Sequence, residues 1–296
     1  MPERALLRPA LAAPLALMLA TRIVTAAVLV IAVLAALFGL SPRGWGLVTL
    51  LAIGAASIEW ADLARFRGPI RWLFVAGTLL LCLNLLFSPW AGFADRWPDG
   101  VILAVCGPAV LFWLIAMPLT LRGHWRPTAP LAMAIVGWLV LIATWMAIVQ
   151  LQARAPWLAL AAMAIVWIAD IAAYFGGRAF GRRKLAPTIS PGKTWEGVYA
   201  ALVAVAIYAY ALVPFADAAG FRGPVTAIAV ALWVALALVL ALLSVGGDLF
   251  ESLLKRIAGV KDSGTLLPGH GGVLDRIDAL LAAMPAAALA AQAFLK

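Results

Sequence analysis

Apolar stretches of roughly 20 residues, the length a helix needs to cross about 30 Å of hydrocarbon, recur from one end of this 296-residue chain to the other. Few folds are open to such a chain. In lipid every backbone N–H and C=O must be paired within the protein, so each stretch has to be helical unless the chain closes a barrel. The pattern places spans near residues 23–40, 46–63, 71–91, 101–121, 129–150, 156–175, 197–215, 225–248 and 275–295. It predicts an all-α, polytopic integral membrane protein with about nine transmembrane helices. Composition agrees: 66% of the residues are hydrophobic and 12% charged, where soluble domains carry about 25% charged residues, and the mean hydropathy is +1.05.

Lys and Arg are retained on the cytoplasmic side of short loops, which tests the count independently. With the N-terminus inside, 17 of the 22 basic residues fall on inner segments, and only Arg43, Arg96, Arg154, Arg222 and Lys296 fall on outer ones. A shift of one span would scramble this split, so the N-terminus is expected to be cytoplasmic. The net charge of +9 is then largely a cytoplasmic feature that favours anionic headgroups or nucleotides, and no motif supports nucleic-acid binding. Arg4 and Arg8 precede the apolar run Leu11–Ala20 in the manner of a secretory signal. Arg22 and the longer apolar run behind it argue for a retained first helix instead. Cys82 and Cys106 both fall inside spans and read as small packing residues.

Ionisable residues divide the chain. Residues 1–164 carry few within their spans, chiefly Glu59 and Asp62, and read as scaffold, while residues 165–296 carry Asp170, Glu196, Asp248, Glu251, Asp262, Asp275 and Asp278 and read as the catalytic region. Three polar segments of that region fall on the inner face. The first runs from Asp170 through Gly176-Gly177-Arg178 to Gly181-Arg182-Arg183-Lys184; a carboxylate in the last turns of a span costs a few kcal/mol unless paired or hydrated. The second is Ser190-Pro191-Gly192-Lys193-Thr194-Trp195-Glu196-Gly197. Its Gly-Lys-Thr is not a P-loop, because Pro187 stands where that motif needs glycine and no strand precedes it. Ser190 or Thr194 can cap the following span, and free backbone N–H groups with Lys193 suit an anion.

The third segment, Ser252 to Asp278, gathers Lys255, Arg256, Lys261, Asp262, His270, Asp275, Arg276 and Asp278 between two apolar runs, with Gly246-Gly247-Asp248 leading into it. Asp275 and Asp278 are three apart and share a helix face, and Asp248 ends the previous span at the same depth. Hard carboxylate oxygens converging there suit Mg2+, which keeps waters and substrate phosphates in its shell. Lys255, Arg256 and Lys261 would neutralise those phosphates, and His270 could contact one or carry a proton. One histidine and two lone cysteines do not make a zinc site. The inventory favours Mg2+-assisted phosphoryl or nucleotidyl transfer.

The run from Ser252 to Asp278 resembles the signature of the phosphatidate cytidylyltransferases, also called CDP-diacylglycerol synthases. Further similar segments are Asp170 with Ala173-Tyr174-Phe175-Gly176-Gly177-Arg178, Ser190-Pro191 with Lys193-Thr194 and Glu196-Gly197, and Gly247-Asp248. Together they cover roughly residues 165–280; the N-terminal half is similar only in span pattern and Glu59-Trp60. The resemblance implies a membrane enzyme joining CTP or dCTP to phosphatidic acid, giving CDP-diacylglycerol and pyrophosphate. It implies Mg2+ on Asp248 and Asp275 with a K+ beside it, and a bacterial inner membrane with the site facing the cytoplasm. The candidate catalytic residues are therefore Asp248, Asp275, Lys255, Arg256, Lys261 and His270. Asp170, Arg178, Ser190, Lys193, Thr194, Glu196, Asp262, Arg276 and Asp278 are the candidate substrate-binding residues.

Two other classes share these parts. A CTP-dependent polyprenol kinase or an ether-lipid cytidylyltransferase would differ in its acceptor and in whether CDP or pyrophosphate leaves. A transporter would also bury carboxylates, but near the bilayer midplane on interrupted helices, often with repeats. Charges at helix ends and the lack of a visible repeat count against it. The alanine-rich last span has the small residues that pack helices closely, within one chain or in a homodimer.

Overall fold

The computed structural model describes Val28 and residues 30–123, 129–219, 225–266 and 271–294. Arg4, Arg8, Arg22, the Leu11–Ala20 run, Arg126, Arg222, Lys296 and the Leu267-Pro268-Gly269-His270 part of the signature lie outside the described residues. The helices are α1 (Val30–Gly39), α2 (Pro42–Leu63), α3 (Pro69–Phe87), α4 (Asp99–Leu111), α5 (Met117–Leu121), α6 (Pro130–Arg154), α7 (Pro156–Phe180), α8 (Trp195–Ala211), α9 (Ala227–Ala258) and α10 (Leu274–Phe294). A two-stranded antiparallel hairpin, β1 (Lys184–Ala186) and β2 (Ser190–Thr194), joins α7 to α8.

Local chemistry sets these boundaries. Proline stands at the first turn of α2, α3, α6 and α7, where its missing N–H has no helical partner to lose. Ser41, Thr194 and Thr226 cap α2, α8 and α9 by accepting from the amides of Gly44, Gly197 and Ala229, each satisfying one orphan donor. α4 and α5 form one apolar span, Asp99–Leu121, through a π-helical turn at Phe112–Ala116. Pro118 cannot donate to the carbonyl four residues back, and the widened turn before it takes up the misfit.

Seven helical segments among the described residues are long and apolar enough to cross a membrane; α1 and α8 are shorter. The stretch expected at 197–215 gives the 17-residue α8, followed by a 3-10 turn at Val213–Ala219, because Pro214 disfavours helix just before it. The stretch expected to end at Asp248 continues helically to Ala258. At 32 residues α9 is about 48 Å long, more than the roughly 30 Å of hydrocarbon. Asp248, Glu251, Lys255 and Arg256 therefore ride on a rigid helix rather than in a loop.

α6 packs against α2, α3, α4, α7 and α10, and its polar groups tie it to them. Trp60 Nε1 donates to the Met133 carbonyl (3.0 Å), Trp145 Nε1 to Gly46 (2.9 Å) and Thr144 Oγ1 to Leu281 (3.2 Å). At one end of the bundle Gln150 exchanges two hydrogen bonds with the Trp97 backbone. At the other, Arg65 Nη2 reaches the Ile257 and Ala258 carbonyls and Arg256 Nε reaches Ile189. That second end collects the α2–α3 turn, the hairpin and the 259–273 loop. Cys82 and Cys106 are buried and free.

Close approach of α9 to α10 depends on Gly247, where an added Cβ would meet the Asp278 carbonyl oxygen at 2.5 Å and the Ala282 Cβ at 3.2 Å. Gly247→Val is expected to push the helices apart and cost about 1–3 kcal/mol, read as a lower unfolding temperature of the protein in detergent. An unchanged unfolding temperature would show that the contact is not tight.

Candidate active site at the polar end of the bundle

Two ion clusters adjoin at this end, and they differ in burial. In the first, Lys193 Nζ from β2 lies 2.6 Å from Asp248 Oδ2 on α9, with side chains 25% and 30% exposed. Ser252 Oγ donates to Asp248 Oδ1 (3.3 Å) one helical turn on. Asp170 on α7 and Asp278 on α10 both interact electrostatically with Asp248 and Lys193. Three carboxylates thus surround one ammonium group, drawn from three helices and the hairpin.

In the second cluster Lys255 Nζ pairs with Asp275 (2.7 Å) and with Glu251 one turn before it. These side chains are 12%, 10% and 2% exposed, in the order Lys255, Asp275, Glu251. Asp275 also accepts from the amides of Ser263 (3.0 Å) and Gly272 (2.9 Å), and its own amide donates to Ser263 Oγ (3.3 Å). It serves as the knot of the signature loop. The expected common face for Asp275 and Asp278 therefore splits in use: Asp275 turns to Lys255, and Asp278 to Asp248 and Asp170. The clusters touch through Asp278, which also interacts with Glu251.

Among the described residues no three or more His, Cys, Asp or Glu side chains are arranged to hold a metal ion. Asp248 and Asp275 sit in separate pairs, each facing a lysine ammonium. The remaining candidates lie around them. Arg256 ties α9 to the hairpin through the Ile189 carbonyl (3.3 Å), while Lys261 and Asp262 are exposed in the loop. Exposed Arg178 donates to the Tyr174 hydroxyl (3.2 Å). Arg276 is exposed on the first turn of α10. Ser190 pairs with Ala186 across the hairpin, and Thr194 rather than Ser190 caps α8. Outside the apolar spans, Glu196 accepts from the amides of Arg182 (3.0 Å) and Arg183 (3.1 Å) and pairs with Arg183 Nε (3.4 Å). Those amides, Arg182 first, hold its carboxyl down at about 2. It clamps the α7–α8 connection. His270 lies outside the described residues.

Two residues at the site had no assigned role in the sequence reading. Glu251 was legible in principle, being four before Lys255 on a helix face. Glu59 is buried in α2, yet its carboxylate accepts from Ser263 Oγ (3.1 Å) and the amides of Val273 (3.0 Å) and Leu274 (2.7 Å). Its signal was an ionisable residue inside an apolar span, which needs a partner. The partners lie more than 200 residues away in sequence, so spacing could not name them.

A helical bundle with seven span-length apolar helices among its described residues and two adjoining ion clusters at one end defines an integral membrane protein with a polar site at that end. The chain belongs to the cytidylyltransferase family, whose model matches residues 20–294. It is similar to the phosphatidate cytidylyltransferase of Haemophilus influenzae, with 36% identity over 289 residues, covering 90% of this chain and 96% of that protein. The phosphatidate cytidylyltransferase of Pseudomonas aeruginosa is 38% identical over 280 residues, covering 90% and 95%. That of Brucella suis is 53% identical over a shorter 123 residues, 40% of this chain.

Proposed function

We propose that this protein transfers the cytidylyl group of CTP, or dCTP, to phosphatidic acid, giving CDP-diacylglycerol and pyrophosphate. The observation that carries the reading is the pair of adjoining ion clusters, Lys193–Asp248 and Lys255–Asp275, at the polar end of a membrane bundle whose relatives bear that activity in their names. The same reading puts the protein in a bacterial inner membrane, N-terminus and site facing the cytoplasm, where phosphatidic acid enters sideways from the inner leaflet.

One phosphate oxygen of phosphatidic acid attacks the α-phosphorus of CTP in line. A P–O bond forms there, the bond to the β-phosphate bridging oxygen breaks, and pyrophosphate leaves with that electron pair. No strong base is required, because a phosphate monoester is largely ionised near neutral pH. Lys193 and Lys255 are placed to exchange a carboxylate for a phosphate oxygen as substrate arrives. Arg178, Arg256, Lys261 and Arg276 line the approach from the membrane surface, and Thr194 and Glu196 hold the hairpin that carries Lys193. Asp170, Asp262 and Asp278 restrict how the anionic substrates sit, by repelling phosphates from their own positions.

Asp248 and Asp275 carry the hard oxygen donors that Mg2+ prefers, each paired here with a lysine ammonium group; they would hold the ion together with waters and substrate phosphate oxygens, since Mg2+ is usually bound by one or two carboxylates plus those ligands. Bound there, Mg2+ supplies charge stabilisation for the transferred and departing phosphates. K+ is proposed as a companion ion.

The test is CTP-dependent conversion of phosphatidic acid by the purified protein in detergent, with and without Mg2+ and with Na+ replacing K+. Equimolar CDP-diacylglycerol and pyrophosphate, dependent on Mg2+, are the expected result. Release of CDP with a phosphorylated lipid would make the protein a lipid kinase, and absence of any product from folded protein would overturn the reading.

A further inference from the structure

Both ends of the segment joining α9 to α10 are held by the end of α2 and the turn that follows it. At its far end, Glu59 accepts from the Val273 and Leu274 amides, which are orphan donors at the start of α10, and from Ser263 Oγ inside the loop. At its near end, Arg65 Nη2 donates to the Ile257 and Ala258 carbonyls (3.1 and 3.3 Å), orphan acceptors at the finish of α9. An anion sits at a helix N-terminus and a cation at a helix C-terminus, each matched to the partial charge it faces. Arg65 is also the one non-glycine residue with positive φ (57°) among the described residues, a conformation that persists where surrounding contacts enforce it. The fit at Glu59 is tight: a Cβ on Gly264 or Gly272 would run into its carboxylate.

We infer that the end of α2 and the turn after it form a bracket, in which Glu59 and Arg65 are positioning residues that fix the two ends of the α9–α10 connection and hence the orientation of Asp275. Gly272 N and Ser263 N, which hold Asp275, belong to the very segment that Glu59 pins. The role follows from this contact set and rests on the proposed cytidylyl transfer only for its catalytic consequence. Glu59 touches no reacting atom. It acts through Ser263 and the first amides of α10.

Glu59→Gln keeps the side chain's size but turns an amide donor toward amides that need acceptors. In the full chain, purified in detergent, it is expected to lower kcat about 10- to 100-fold, the usual cost of removing a group that orients a metal ligand. KM for CTP should stay within about threefold, and amide exchange at 272–275 should accelerate while that of α6 does not change. Arg65→Gly removes the guanidinium while suiting the positive φ, and should speed exchange at 257–260. Should Glu59→Gln fail to fold, Ser263→Ala removes one of the three bonds from the loop side and should give the same kcat-without-KM loss in smaller measure. Unchanged kcat and unchanged exchange at 272–275 in a folded Glu59 or Ser263 variant would overturn the bracket. If the wild-type protein makes no product, the functional reading fails, while the exchange measurements still decide the bracket.

Discussion

Lys255→Met is expected to destabilise the protein by about 3–5 kcal/mol, because it leaves the buried Glu251 and Asp275 carboxylates facing each other without their shared cation. The exposures decide the size: with Glu251 at 2% and Asp275 at 10%, water cannot replace the ammonium group. Turnover should be lost with the fold. Adding Glu251→Gln removes one of the two charges, so the double variant should regain about 1–3 kcal/mol relative to simple additivity. Thermal or denaturant unfolding in detergent reads both numbers. Strict additivity of the two substitutions would show that Glu251 and Lys255 are not one unit.

Asp248→Asn should behave in the opposite way, with a large loss of rate and a small loss of stability. Its pair with Lys193 is 30% and 25% exposed, and ion pairs accessible to water contribute about 0–1 kcal/mol. The unfolding temperature should hardly move. Turnover should fall about 100- to 1,000-fold, the usual cost of deleting one group that stabilises transition-state charge. Near-normal turnover at saturating Mg2+ would remove Asp248 from the site. The contrast between the two aspartate–lysine pairs separates, by measurement, a buried pair on which the fold also depends from a water-accessible pair on which it does not, although the sequence presents them alike.

The helices were legible because their signal is one-dimensional. Apolar runs of span length placed α2, α3, α6, α7 and α10 to within about five residues, and the first four of these begin with a proline in the first turn. Basic residues on alternate loops gave a topology in which the polar segments share one face, and Arg65–Ile257 and Arg256–Ile189 do bring those segments to one end. The hairpin between α7 and α8 was not legible. Lys184–Ala186 and Ser190–Thr194 are short, polar and proline-bearing, and the strands exist because they pair with each other between two helix ends.

Partners behaved differently from positions. The sequence by itself determined where apolar helices form, which ionisable residues gather in the polar segments, and the family to which such residues belong, since each follows from local hydropathy and motif; of the nine spans it places, seven are long and apolar enough to cross a membrane among the described residues. Only the tertiary structure decided that Asp248 faces Lys193, 55 residues away, that Asp275 faces Lys255, and that Glu59 closes the loop from the far half of the chain. Opposite charges at one depth have several ways to pair. The choice among them is made by helix packing, through contacts such as Gly247 against the Asp278 carbonyl, which no reading along the chain contains.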